Sequence, residues 1–187
     1  MFDLATPGRA AGRPPARRGW WLGPELAAFA ALLALAIPYL SIAPGQNVRS
    51  EIAGRAASVI EGSSLAEHHD HGHEVAAQDH VVCGVDIFGT EPRDLNRAED
   101  VRTVYGYYFC AVGPTGTAYL DSSRSDGPVV ITFGTPPVVQ IARHGAGYED
   151  RVRAMMPDEY EGLCFGGLRD DSVAADVRRR FTDAARG

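Results

Sequence analysis

The sequence has no lysine, and its charge balance is acidic. All 18 basic residues are Arg, and 24 Asp and Glu residues oppose them, so the formal net charge is −6 at pH 7. Such a chain lacks the basic surface that nucleic acids select, which argues against a nucleic-acid partner. At 187 residues it is too short for two full domains, and its 45% apolar residues exclude a wholly disordered chain.

A complete catalytic or cofactor-binding motif is also missing. The glycine-rich segment 145–147 lacks the flanking strand and helix of a nucleotide-binding loop, so we interpret it as a turn. Two acidic pairs, at 149–150 and 170–171, stand where helices are predicted to start, and negative charge suits that end of a helix dipole. We therefore predict no catalytic residues.

One long apolar run stands near the N-terminus. Residues 1–19 hold four Arg among Gly, Pro and Ala, which predicts a disordered basic tail. Residues 20–43 follow, with Glu25 as their only charge and aromatic residues at both ends. At about 1.5 Å per residue this segment reaches about 36 Å, enough for a hydrocarbon core of roughly 30 Å. We predict a single transmembrane helix over 20–43.

The distribution of Arg predicts the orientation of this helix. Four Arg precede the segment and only Arg49 and Arg55 follow it closely, so the N-terminus is expected in the cytoplasm and residues 44–187 outside it. One alternative is a cleaved signal peptide, because residues 41–43 resemble a cleavage site, although Pro44 would then be the first mature residue. A helix buried in a soluble protein is the other alternative.

Residues 44–80 are predicted to form a flexible stalk that contains a short helix and a histidine-rich segment. Imidazole with nearby carboxylates is a ligand set for zinc, copper or nickel, so we consider a metal site in this segment. The alternatives are an inert tether, since histidine-rich tracts usually bind metal weakly, and a pH-responsive segment. Five of the six histidines fall here: His68, His69, His71, His73 and His80.

Residues 81–187 are predicted to form a compact α+β domain, with a small antiparallel sheet that packed helices cover on one face. Alternating apolar residues predict a strand at 81–90, and short apolar runs predict strands at 128–134 and 137–143. A fourth strand is considered at 117–120. Helical periodicity predicts helices at 148–156 and 170–185.

The segment 96–112 carries signals for both kinds of element. Apolar residues at helical spacing and a capping-box-like start favour a helix, which we predict. Many β-favouring residues and Gly106 favour a strand instead.

The interpretation of the three cysteines depends on the expected location of residues 44–187 outside the cytoplasm. Outside the cytoplasm paired thiols oxidise, and Cys83 with Cys110 is the best pair, whether 96–112 is a helix folded back or a strand of a hairpin. Cys164 is predicted to be a buried free thiol. The alternatives are a link between two chains and a nucleophile paired with His144.

The sequence between 83 and 157 resembles a group of short, uncharacterised, exported proteins of high-GC Gram-positive bacteria. The resemblance rests on CGVDIFGTEP, VRTVYGYYFCAVG, GPVVITFG and PPVVQIARHGAGYEDRVRAMMP. It implies an envelope location and the Cys83–Cys110 framework, and it implies no activity.

These observations lead to three functional hypotheses. The first is a membrane-anchored extracytoplasmic module that binds or scaffolds an envelope protein and has no catalytic activity. The second is an envelope metal-binding protein that uses the histidine-rich segment. The third is a hydrolase that uses Cys164 with His144.

Overall fold

The structure, a computed structural model, describes residues 44–72 and 74–186. The predicted basic tail (1–19) and transmembrane helix (20–43) lie outside these residues. None of the helices in the described ranges has the length and hydropathy of a membrane span.

The described residues form an α+β fold around one antiparallel sheet, as predicted. Its strand order is β1-β2-β3-β4, so each strand pairs with its neighbour in sequence. The strands are β1 (Asp79–Glu91), β2 (Thr103–Pro114), β3 (Ser123–Thr132) and β4 (Val138–Ile141). Two helices precede the sheet, α1 (Pro44–Glu61) and α2 (Leu65–Asp70), and three follow it, α3 (Tyr148–Met155), α4 (Asp158–Cys164) and α5 (Asp171–Ala184).

Helix α1 covers one face of the sheet, which corrects the prediction of a flexible stalk over 44–80. Ile52, Ala56 and Ile60 follow one another at four-residue spacing and are 3%, 0% and 0% exposed. They pack against the β1 side chains that include Val85 and Ile87. A helix with such an apolar stripe gains stability by burying it, so this segment belongs to the folded domain.

Strand β1 confirms the strand that alternating apolar residues predict at 81–90. From Val81 to Ile87 its odd-numbered residues face α1 and its even-numbered residues face the opposite side, and a register shift between Ile87 and Gly89 then ends this alternation. On that opposite side Val82 packs with Val177 and Phe181 of α5, and a second cluster joins Val130 to α3 and α4. The sheet is therefore covered on both faces, whereas we expected helices on one face only.

Strand β2 corrects the helix predicted at 96–112. Residues 98–100 form a single 3-10 turn, and residues 103–114 pair with both β1 and β3. As the second of four strands β2 is buried on both faces, so its apolar residues form a nearly continuous run. A continuous run also contains matches to a helical period, which is why the two signals conflicted.

The other predicted elements are largely confirmed. The strands at 128–134 and 137–143 are β3 and β4, and the helices at 148–156 and 170–185 are α3 and α5. The strand considered at 117–120 is wrong, because residues 119–121 form a 3-10 helix. Helix α4 was not predicted.

Two glycines of β1 allow close packing of the C-terminal helices. A Cβ at Gly84 would lie 2.6 Å from Val173 Cγ1 of α5, and a Cβ at Gly89 would lie 2.0 Å from the hydroxyl oxygen of Tyr160 in α4. Real Cβ contacts are not this short, so helices α4 and α5 pack where β1 has no side chain.

Candidate functional site

The Cys83–Cys110 disulfide is present, as the sequence predicted, and it connects β1 to β2. The two residues lie opposite each other in the antiparallel register, with their Cα atoms 4.1 Å apart. Both cysteines are fully buried in the core under α1. The disulfide therefore joins the edge strand of the sheet to the strand beside it.

The backbone of Cys83 points away from β2, toward the outer edge of the sheet. Its N–H donates to Glu61 Oε1 at 2.7 Å, and its carbonyl oxygen accepts from the Arg180 guanidinium. In an antiparallel pair, residues alternate between those bonded to the partner strand and those directed outward. Cys83 is of the outward kind, and so are Val85 and Ile87.

The backbone N–H and carbonyl groups that point outward along this edge of β1 have different hydrogen-bond partners. The carbonyl oxygen of Ile87 accepts from the Arg49 guanidinium, so side chains occupy outward groups on either side of Val85. Among the described residues no side chain bonds to the outward N–H or carbonyl of Val85. Side chains thus occupy the edge of β1 at Cys83 and at Ile87, and Val85 between them is only 3% exposed.

This edge of β1 borders a groove between α1 and α5. The groove has a volume of about 840 Å³, and Gly84, Val85 and Asp86 of β1 contribute to its lining. Small residues of α1 form one wall, and the N-terminal half of α5 forms the other. The α1 wall includes Ala53, Gly54, Ala57 and Ser58, and the α5 wall includes Ser172, Val173 and Asp176.

Arg180 closes one end of this groove. Its guanidinium lies 2.9 Å from Glu61 Oε1 and 2.8 Å from Asp176 Oδ2. Burial alone would lower the pKa of Arg180, but the hydrogen bonds to Glu61 and Asp176 outweigh burial and raise it. The cation therefore stays charged and holds α1, β1 and α5 together at this end.

Asp170 lies at the other end, where it caps α5. Its carboxylate accepts from the Ser172 N–H at 2.9 Å. Hydrogen bonds from Ser172, and to a smaller extent the charge of Arg49, lower the pKa of Asp170. The Asp170 carboxylate therefore stays ionised at this end of the groove, where Arg49 also lies.

The predicted metal ligands lie at different places in the fold. His68 is buried, His69 Nε2 lies 3.2 Å from the Val75 carbonyl, and the ring of His80 stacks on Phe181 at 4.3 Å. Within the described ranges no three His, Cys, Asp or Glu side chains are grouped to hold a metal ion. His73 lies outside the described residues, so the zinc, copper or nickel site stays a prediction.

His71 covers the opposite edge of the sheet. It hydrogen-bonds to the backbone of Val139 in β4, and Arg143, just beyond β4, binds the carbonyl oxygen of Asp70 in α2. Desolvation lowers the pKa of His71, although this hydrogen bond opposes the shift. The histidine-rich segment therefore helps to cover the β4 edge of the sheet.

Cys164 is a buried free thiol, as predicted, and its surroundings disfavour its use as a nucleophile. Its Sγ donates to the Tyr160 carbonyl at 3.4 Å, while His144 Nε2 lies 3.3 Å from the Asp126 carbonyl. Burial raises the pKa of Cys164 to about 11. At neutral pH the group is a thiol rather than the nucleophilic thiolate, and it has no hydrogen bond to His144.

Sequence reasoning missed the residues that shape the groove. Glu61 lies in the predicted stalk and Arg180 in the helix predicted at 170–185, and nothing in the sequence connects them. These residues are 119 positions apart and meet only because α1 and α5 both pack beside β1. The one available signal is the apolar stripe of α1, which favours packing of this helix against other elements.

The described residues thus define a small disulfide-bonded α+β domain with a groove beside its edge strand β1. Known proteins add nothing to that description, because no protein-family model, no curated protein and no solved structure matches the chain.

Proposed function

We propose that this protein is a membrane-anchored extracytoplasmic binding module without catalytic activity. The observation that carries the proposal is the groove between α1 and α5 beside the edge strand β1. Its volume of about 840 Å³ lies within the range of ligand-binding clefts.

Three observations support a location outside the cytoplasm. Disulfides such as Cys83–Cys110 persist mainly in oxidising compartments. Residues 20–43 have the length and composition of a membrane span. The resemblance to exported proteins of high-GC Gram-positive bacteria points to the same location.

Membrane topology is tested by thiol labelling of intact cells of a high-GC Gram-positive bacterium that express the full chain. We expect a membrane-impermeant maleimide to label an E149C variant, whose new thiol stands on exposed α3. The same reagent should label R9C only after lysis. Wild-type protein is the control, because its free Cys164 is buried. Labelling of both variants only after lysis would contradict the proposed location.

Binding in the groove is tested in the same cells by photo-crosslinking. A benzoylphenylalanine at Ser58, on the groove wall, should give a discrete crosslinked product. The same residue at Thr182, an α5 residue that does not line this groove, should not. If neither position, or both equally, gave a product, the groove would not be a specific binding site.

A further inference from the structure

We propose that a cleft between α5 and the 3-10 turn at Tyr119 binds a small organic anion, which carries a phosphate or carboxylate group on an apolar body. The cleft has a volume of about 530 Å³, and Tyr119 and α5 residues form its lining. None of these residues lines the groove between α1 and α5, so this cleft is a second site, beyond the function proposed above. We call it the Tyr119 cleft.

Two arginines from distant segments meet at the aromatic ring of Tyr119. The Cζ atom of Arg124 lies 5.5 Å from the ring centroid, and that of Arg178 lies 5.7 Å from it. Arg124 stands opposite Ala111 in the register of β2 and β3, and therefore on the sheet face that α5 covers. The Tyr119 ring packs edge to face on Phe181 of α5, with the centroids 6.2 Å apart. Packing of the sheet, the turn and α5 thus brings two cations to one ring.

No carboxylate neutralises either of these cations within the ranges that the structure describes. Other arginines of α5 form ion pairs there: Arg179 and Arg180 both pair with Asp176. Arg124 and Arg178 contact only the ring, whose quadrupole attracts a cation without neutralising its charge. They therefore create a positive potential at this place on a chain whose net charge is −6.

The charged lining of the Tyr119 cleft has the same sign. Three Arg and one Asp contribute to it: Arg178, Arg179, Arg186 and Asp183. Arg186 Nη1 lies 3.5 Å from Asp183 Oδ1, so the one carboxylate of the lining already has a partner. Arg178 remains as the uncompensated charge of the lining, and Arg124 adds a second charge beside the ring.

These groups select an organic anion. The planar fork of an arginine donates two parallel hydrogen bonds to a carboxylate or a phosphate. At about 530 Å³ the cleft falls in the size range of small-molecule sites, so it has room for more than the anionic group. The ring of Tyr119 with Ala174 and Ala175 supplies apolar surface, and Leu120, the next residue of the turn, is 74% exposed. The ligand is therefore expected to join an anionic group to an apolar body.

Isothermal titration calorimetry of the full chain, in nanodiscs of zwitterionic lipid, tests this site. The probes are phenyl phosphate and benzoate, which each carry one anionic group on a ring. Inorganic phosphate and acetate represent the anionic group alone, and phenol represents the ring alone. We expect phenyl phosphate or benzoate to bind about tenfold more tightly than its anionic group alone and than phenol, since both parts of the ligand contribute. The stronger of the two probes identifies the anionic group.

Arginine variants locate the binding. Arg124→Gln and Arg178→Gln should each weaken it by about tenfold or more, because each removes a hydrogen bond between charged groups. Arg178→Lys keeps the charge but loses the fork, and should also weaken it. Arg169→Gln is the matched control, since Arg169 is exposed, lies outside the cleft and has no ion pair in the described part of the chain. It removes the same charge and should leave the affinity nearly unchanged, and circular dichroism checks that each variant is folded.

Two results would overturn the anion site. In the first, neither phenyl phosphate nor benzoate binds more tightly than phenol. In the second, Arg178→Gln and Arg169→Gln weaken binding equally, which would show a general effect of charge. A small anion produces no crosslinked protein at Thr182, so this test and the Ser58 crosslink are independent. Either proposal can therefore fail while the other stands.

Discussion

At the scale of single residues, His68 shows how burial changes the role of a side chain. It stands among four other histidines in the sequence, yet it is only 2% exposed. Desolvation, and then the nearby charge of His71, lower the pKa of His68, while Glu67 opposes the shift. Burial lowers the pKa of His71 as well. Both imidazoles are therefore held neutral in the folded domain.

This burial predicts a loss of stability in acid. The unfolded chain binds protons at these histidines near pH 6.5, the folded chain only at lower pH, so protonation favours unfolding. The contribution of the neutral imidazole rings to the free energy of unfolding is present above about pH 6.5 and is lost as the pH falls below that value. We expect urea unfolding of the full chain to show a smaller free energy at pH 5 than at pH 7.5.

Matched variants separate His68 from the other titrating groups. The difference between pH 7.5 and pH 5 should shrink in His68→Gln and shrink further when His71→Gln is added. The exposed His69 is the control, and His69→Gln should reduce the difference much less than His68→Gln, because only His68 is buried. An equal effect of His68→Gln and His69→Gln would show that burial is not the cause.

At the scale of elements, two glycines predict stability changes of opposite sign. Gly54→Ala should raise the free energy of unfolding by about 0.5–1 kcal/mol, because Ala favours a helix and the added Cβ meets open space. Gly84→Ala should lower it by about 1–3 kcal/mol, because the new Cβ would lie 2.6 Å from Val173 and force α5 away from β1. Urea unfolding of the two variants measures both changes, and changes of the same sign would contradict this account of how α1 and α5 flank β1.

The elements also show how much of the fold was predictable. Apolar residues alternate along much of β1, and α5 has one apolar stripe. Hydrophobic periodicity therefore predicted both elements. Strand β2 was misassigned because it is covered on both sides, and its residues from Val104 to Val112 carry no alternation that distinguishes a strand from a helix. The groove was not predictable, because Arg49, Glu61 and Arg180 are brought to the β1 edge by packing between distant segments.

At the scale of the whole molecule, the stability of the domain depends on a covalent link between its edge strand and its interior. In the order β1-β2-β3-β4, β1 pairs with one neighbour only, and its other side borders the groove. The Cys83–Cys110 bond joins β1 to β2 covalently, in addition to the hydrogen bonds between the two strands.

Removal of this bond should therefore destabilise the domain strongly. The cysteines are 27 residues apart, and in the chain-entropy model a loop of that size contributes about 3–4 kcal/mol. We expect urea unfolding of the C83A/C110A variant to show a loss of at least this size, since both sulfur atoms are also buried. Cys164→Ala, which removes one buried sulfur and no cross-link, is the control and should lose much less. Reduction of the wild-type protein should reproduce the loss without any change of side chain. If reduction left the free energy of unfolding unchanged, the packing of α1 and α5 alone would hold β1 in place.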